Sequence, residues 1–115
     1  MSKDRTIDYV ELPGRDMAAM KAFYGETFGW EFVDYGPAYA AFDAAQAGVD
    51  GGFDIDGQEL SGPLVVLYAD DLEGMLAAVE AAGGTVIKPI FSFPGGRRFH
   101  FTDPAGNVLA VWTKA

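Results

Sequence analysis

Residues 16–30, DMAAMKAFYGETFGW, and residues 71–84, DLEGMLAAVEAAGG, decide how the rest of the chain is read. In each, an Asp comes first, apolar residues recur at helical spacing behind it, and glycine closes the segment. A leading carboxylate accepts hydrogen bonds from the free amides of a helix's opening turn, and glycine takes the left-handed conformation that ends one. The first stretch predicts a helix capped by Asp16, with Met17, Met20, Phe23, Tyr24 and Thr27 or Phe28 inward and a stop at Gly29. The second predicts a helix capped by Asp71, with Leu72, Met75, Leu76, Val79 and Ala82 inward, ended by Gly83 and Gly84.

A shift of 55 positions, the separation of Asp16 and Asp71, also lays Met20 on Met75 and Gly29 on Gly84. Cap, core position and stop coincide, so the chain carries an internal repeat. Outward from the first helix, TIDYVELP alternates as a strand, with Ile7, Tyr9 and Glu11 on one face and Val10 and Leu12 on the other. Between Trp30 and Asp56, breaks at Gly36-Pro37, Gly48 and Gly51-Gly52 predict three short strands joined by turns. Around the second helix, strands are predicted at Pro63–Ala69, Thr85–Ile90, Arg98–Thr102 and Val108–Trp112. The expected fold class is α+β: two tandem βαβββ modules, about residues 5–56 and 63–113, in one domain spanning residues 1–115. Each module has a helix-covered face and a bare one, so pairing them predicts a curved mixed sheet with the helices outside and a cavity within.

Composition sets outer limits on function. At 115 residues, half of them apolar, the chain can bury one sizeable core. A formal net charge of −9 opposes attraction to nucleic acid or to an anionic membrane. Zero cysteines remove disulfides, thiolate metal sites and cysteine nucleophiles together. With no apolar run long enough to span a bilayer and no signal-peptide pattern at the start, the expected location is the cytoplasm.

The stretches ELPGRDMAAMKAFYGETFGW (residues 11–30), YADDLEGMLAAVEAAGG (residues 68–84) and FPGGRRFHFTDPAGNVLAVW (residues 93–112) resemble the vicinal oxygen chelate superfamily of glyoxalases, bleomycin-resistance proteins and extradiol dioxygenases. The resemblance covers nearly the whole chain. It implies a half-open barrel, often completed as a homodimer, but selects no reaction, because lyases, isomerases, dioxygenases and drug-sequestering proteins share the scaffold. It also implies that the positions which hold a divalent ion in the metalloenzymes fall here at Tyr9, Leu64 and Ala110. A phenol with an ordinary pKa near 10 is a poor ligand at neutral pH, and Leu and Ala have no donor. The expectation is a member without a metal cofactor that binds a small apolar or aromatic molecule through Tyr9, Glu11, Leu64, Val66, Arg98, His100, Ala110 and Trp112. The alternative is a lyase, isomerase or dioxygenase-type enzyme using His100 and Glu11, with or without a weakly held divalent metal.

His100 is the single histidine, and alternation sets it with Arg98 and Thr102, opposite Phe99 and Phe101. A hydrogen-bonded or exposed strand histidine fits the pattern as well as a general base does. Asp54, Asp56 and Asp70-Asp71 fit turns and caps better than a metal site, and Asp103-Pro104 with Gly106-Asn107 predicts a tight reversal. Arg97 and Arg98, with Lys88 near them, form a basic spot that could take a small anion. Tyr39, Phe42, Phe53, Phe91, Phe93 and Trp112 could line an aromatic ligand cavity, but most of them read as core or dimer contacts, with Trp112 the preferred ligand contact.

Overall fold

The computed structural model describes residues 2–55 and 62–115. Along them run β1 (Thr6–Pro13), α1 (Met17–Phe28), β2 (Val33–Asp34), β3 (Tyr39–Phe42), α2 (Ala44–Ala47), β4 (Asp50–Asp54), β5 (Leu64–Tyr68), α3 (Leu72–Ala81), β6 (Thr85–Phe93), β7 (Gly96–Thr102) and β8 (Val108–Lys114). The class is α+β, and the order strand, helix, three strands occurs twice, with the single turn of α2 added to the first round. Asp56, at the end of the first expected module, lies outside the described residues. Contacts divide the chain into two compact units: Tyr9–Leu64, and Val65–Ala115 together with the first eight residues.

In the unit Tyr9–Leu64 the strands lie in the order β2-β3-β4-β1, with β1 parallel to β4 and the other pairs antiparallel. The Asp16 carboxylate accepts from the Ala19 amide at 3.1 Å, and Gly29 ends α1 at φ 75°. Met17, Met20 and Tyr24 pack on Ala40, Phe42 and Phe53, with Trp30 and Phe32 closing the cluster. Phe23, expected inward, and Phe28, expected there as the alternative to Thr27, are 57% and 58% exposed. At 100° per residue Phe23 lies well off the stripe of Met17, Met20 and Tyr24. Phe28 is on that stripe but at the helix end, where its ring meets Tyr24 and Trp30 at the rim of the core.

Gly51 and Gly52 were expected to break the chain, yet both lie inside β4. The reason is in the neighbouring strands: a side chain on Gly51 would strike the Val10 carbonyl of β1 and the Phe42 ring of β3, and one on Gly52 the Tyr39 ring. Glycine is used here for close approach across a ladder. The turn of α2 follows the same cap-and-stop logic as the longer helices, with Asp43 accepting from the Gln46 amide and Gly48 at φ 87°.

In the other unit the order is β5-β8-β7-β6, with β5 parallel to β8 and the rest antiparallel. The Asp71 carboxylate accepts from the Gly74 amide at 3.0 Å. Leu72 is buried with Ala69, Phe99 and Val111, and Met75, Leu76 and Val79 pack around them. Ala82 is not part of this face; it is the exposed C-cap. The left-handed residue is Gly83, at φ 100°, so the two helix stops are offset by one residue from the expected match of Gly29 with Gly84. The Gly84 amide then donates back to the Val79 carbonyl at 2.9 Å, which closes the helix in a Schellman turn.

The last three strands run further than expected. β6 continues through Phe93 and β7 starts at Gly96, leaving Pro94 and Gly95 (φ 104°) as the tip of the hairpin. The reversal after β7 forms as its sequence implies: the Asp103 carboxylate accepts from the amides of Ala105 and Asn107 and from the Asn107 side chain. Hydrogen bonds tie the chain's first residues into this unit. The Arg5 amide donates to the Tyr68 carbonyl, the Asp70 amide to the Asp4 carboxylate, and the Trp112 indole to the Asp8 carboxylate at 2.9 Å.

Candidate functional site

Each sheet has a helix-free face. In the unit Tyr9–Leu64, strand alternation puts Tyr9 and Glu11 of β1, Tyr39 of β3 and Gly52 of β4 on it. The Tyr9 and Tyr39 hydroxyls lie 2.5 Å apart, and Tyr39 donates to the Glu11 carboxylate at 3.2 Å. Glu11 is only 4% exposed. A phenol carries one proton, so with Tyr39 donating to Glu11 the short bond between the tyrosines must be donated by Tyr9. Burial, reinforced by the Glu11 charge, pushes the Tyr9 hydroxyl up to about 12, the hydrogen bond with Tyr39 acting in the opposite sense. The same two causes push Tyr39 higher still. Both phenols are therefore neutral throughout the physiological range.

Leu64 is wholly buried, with no polar atom to offer. Tyr39 is the residue that sequence reading left in the core. No local signal marked it, because its ring reaches across the ladder to lie over Gly52 of β4, a placement set only by strand register.

In the other unit the helix-free face holds Val66 and Tyr68 of β5, Arg98 and His100 of β7, and Ala110 and Trp112 of β8. Register places His100 beside Ala110 on one side and Lys88 on the other, with Arg98 beside Trp112 and Phe91. Val66, His100 and Ala110 are buried. The imidazole packs on the Phe91 ring at 5.6 Å. Lys88 stands over that ring at 4.6 Å, and the Arg98 guanidinium lies over Phe91 and Phe93 at 5.5 and 5.7 Å. Phe91 thus carries Lys88 and, together with Phe93, Arg98, a role their places in the sequence did not disclose. Trp112 packs edge-on against Tyr68 at 5.1 Å while its indole nitrogen is held by Asp8. Arg97 points away from this group and pairs with Glu73 of α3.

The family model of the Glyoxalase/Bleomycin resistance protein/Dioxygenase superfamily matches residues 6–111. The chain belongs to that superfamily.

Among its members, the chain is 28% identical to "Putative glyoxylase CFP32" of Mycobacterium tuberculosis, the match covering 93% of this chain and 45% of the relative. It thus spans less than half the length of the curated relatives it matches. A Mn(II)-bound glyoxalase from Novosphingobium aromaticivorans is 28% identical with a TM-score of 0.67, over 98% of this chain and 40% of that one. A superfamily member from Vibrio splendidus has the same fold at 17% identity, with a TM-score of 0.69 over 95% of this chain and all of the other.

The resemblance places the superfamily's metal ligands at Tyr9, Leu64 and Ala110, and the chemistry of these three residues bears on whether they would hold an ion. Tyr9 offers a neutral phenol whose proton is committed to Tyr39, and whose conversion to a phenolate is opposed by burial. Leu64 offers an isobutyl group, and Ala110 a fully buried methyl. This donor set does not fit a divalent ion: a neutral phenol is a poor ligand, and an isobutyl group and a methyl have no donor atom.

Proposed function

We propose that this chain is a metal-independent member of the superfamily that binds a small, apolar or aromatic molecule. The observation that carries the reading is the Tyr9 hydroxyl at 2.5 Å from that of Tyr39, a phenol held neutral where the resemblance places a metal ligand. The proposed contacts of the unit Tyr9–Leu64 are Tyr9 and Glu11, which orient the ligand, with Leu64 apolar. Those of the other unit are Val66, Ala110 and Trp112 as apolar surface, with Arg98 and His100 as polar groups. Burial of ligand surface supplies affinity, and a few placed polar atoms supply orientation.

Metal analysis of protein purified without chelator, before and after dialysis against Mn(II), tests the reading. The expected result is no stoichiometric ion; one divalent ion per chain retained through dialysis would end it. Binding of aromatic probes is followed by Trp112 fluorescence, with Trp112→Phe expected to abolish the change.

A second reading is favoured by His100, an imidazole 4% exposed on the helix-free face, and by relatives described as glyoxalases. It is an enzyme of lyase, isomerase or dioxygenase type in which His100 moves a proton and Glu11 assists, with or without a weakly held divalent ion. Glyoxalase turnover, assayed with and without Mn(II) in wild type and His100→Ala, decides it: activity that survives the substitution excludes His100 as the catalytic group.

We further propose a homodimer in the cytoplasm, with neither nucleic acid nor membrane as partner. Exposed Phe23, Phe28, Val33 and Tyr35 support the dimer. The net charge of −9 speaks against the polyanions, and no helix among the described residues is long and apolar enough to cross a membrane. Sedimentation equilibrium should give twice the chain mass.

A further inference from the structure

We propose that Tyr39 is a specificity-determining residue: by donating to Glu11 it obliges Tyr9 to donate to Tyr39, so Tyr9 meets a ligand only as a hydrogen-bond acceptor. The ligand class follows. It is a small molecule that presents a hydroxyl or other donor to the Tyr9 oxygen, such as a phenol or an alcohol, in preference to the corresponding ether. This inference rests on the reading of the chain as a small-molecule binder and adds to it the polarity of one contact.

The argument is a count of protons along a chain of three groups. Glu11 is a buried carboxylate and can only accept. The Tyr39 proton points at it, 3.2 Å away. The Tyr39 oxygen is then open to accept, and the Tyr9 hydroxyl at 2.5 Å fills it. Tyr9 has no second proton, so what remains on its oxygen is lone-pair density, enriched because successive hydrogen bonds directed toward a negative charge polarise one another. Tyr9 is half-buried where Glu11 is buried, and its oxygen is the end of the chain assigned to the ligand. Gly52 is part of the device, since a side chain there would displace the Tyr39 ring from its place above β4.

A hydrogen bond of this kind is worth roughly three- to tenfold in affinity, and an ether placed against an acceptor-only oxygen forfeits it. The test measures dissociation constants at pH 7 for phenol and anisole, by chemical-shift titration of wild type, Tyr39→Phe and Tyr9→Phe. Wild type is expected to favour phenol by roughly three- to tenfold over the ratio shown by Tyr9→Phe, which lacks the acceptor. In Tyr39→Phe the Tyr9 proton is released and can donate to the ether oxygen, so the ratio should fall toward that of Tyr9→Phe. A Tyr39 that merely filled space would leave the ratio unchanged. If Tyr39→Phe does not fold, Tyr9→Phe against wild type still decides the polarity of the contact. Equal ratios in all folded proteins overturn the inference and leave the binding reading intact; failure of wild type to bind either probe overturns both.

Discussion

The Tyr39 ring occupies the space above Gly52 so closely that a Cβ added to the glycine would lie 2.5 Å from the Tyr39 hydroxyl. A backbone position in β4 thereby sets where a phenol of β3 can point, and through it the hydrogen bonds of Tyr9 and Glu11. Gly52→Ala should cost about 1–3 kcal/mol, the range for an inserted methyl that forces neighbouring side chains from their places. Urea denaturation measures it. In the same protein the hydroxyl proton of the Tyr9–Tyr39 bond should exchange faster than in wild type, as read by NMR at low temperature.

Alkaline pH acts on the same pair. Burial raises both phenols above their ordinary value of 10, Tyr9 to about 12, so the folded state keeps protons that the unfolded state loses first. Stability from this pair is complete below pH 10 and falls as pH rises from 10 through 12. Absorbance at 295 nm should show two of the five tyrosines un-ionised at pH 11 while the fold persists. Full ionisation of all five before any loss of far-ultraviolet circular dichroism would contradict the assignment.

At the acid end the reporter is Asp103. Hydrogen bonds from Asn107, and then from the backbone of the turn, hold its carboxyl below the ordinary carboxylate value. The stabilisation is present above that ordinary value and disappears as pH falls through the lower, folded one. Asp103→Ala should therefore lower Tm at pH 6, and the gap to wild type should close as the pH is taken from 5 to 2. A gap that does not depend on pH would mean that the turn is held by something other than this charge.

The caps of α1 and α3 are equivalent in geometry, with Asp16 and Asp71 each accepting from the amide three residues on. Replacement of either by Ala should cost about 1 kcal/mol, and by Asn a smaller amount. The two losses should add in the double variant, because the caps share no partner.

Phe99 is fully buried at the centre of its core, against Phe101 and beneath α3. Phe99→Ala should cost about 3–5 kcal/mol through the cavity it leaves, read as a drop in the denaturation midpoint.

Sequence alone determined the parts of this protein whose causes are local. Asp16, Asp71 and Asp103 act on amides within four residues of themselves, and Gly29 and Gly83 relieve strain at their own positions, so their chemistry is written in adjacent letters. The repeat was legible for the same reason, as was the alternation that sets Phe99 and His100 on opposite faces of β7. Tertiary structure decided what depends on register between strands far apart in sequence. Nothing near Gly51 and Gly52 says that Phe42 and Tyr39 will lie over them, so two glycines of a strand look like a turn. Nothing near Tyr39 says that its hydroxyl will stand between Tyr9, thirty residues away, and Glu11. Even Phe23 and Phe28, picked out by helical spacing, are turned out or set at the rim, Phe23 by its angle around α1 and Phe28 by its place at the helix end. Local hydrogen bonds and dihedral preferences are properties of short segments; which side chains meet across a ladder is fixed only when the strands have paired.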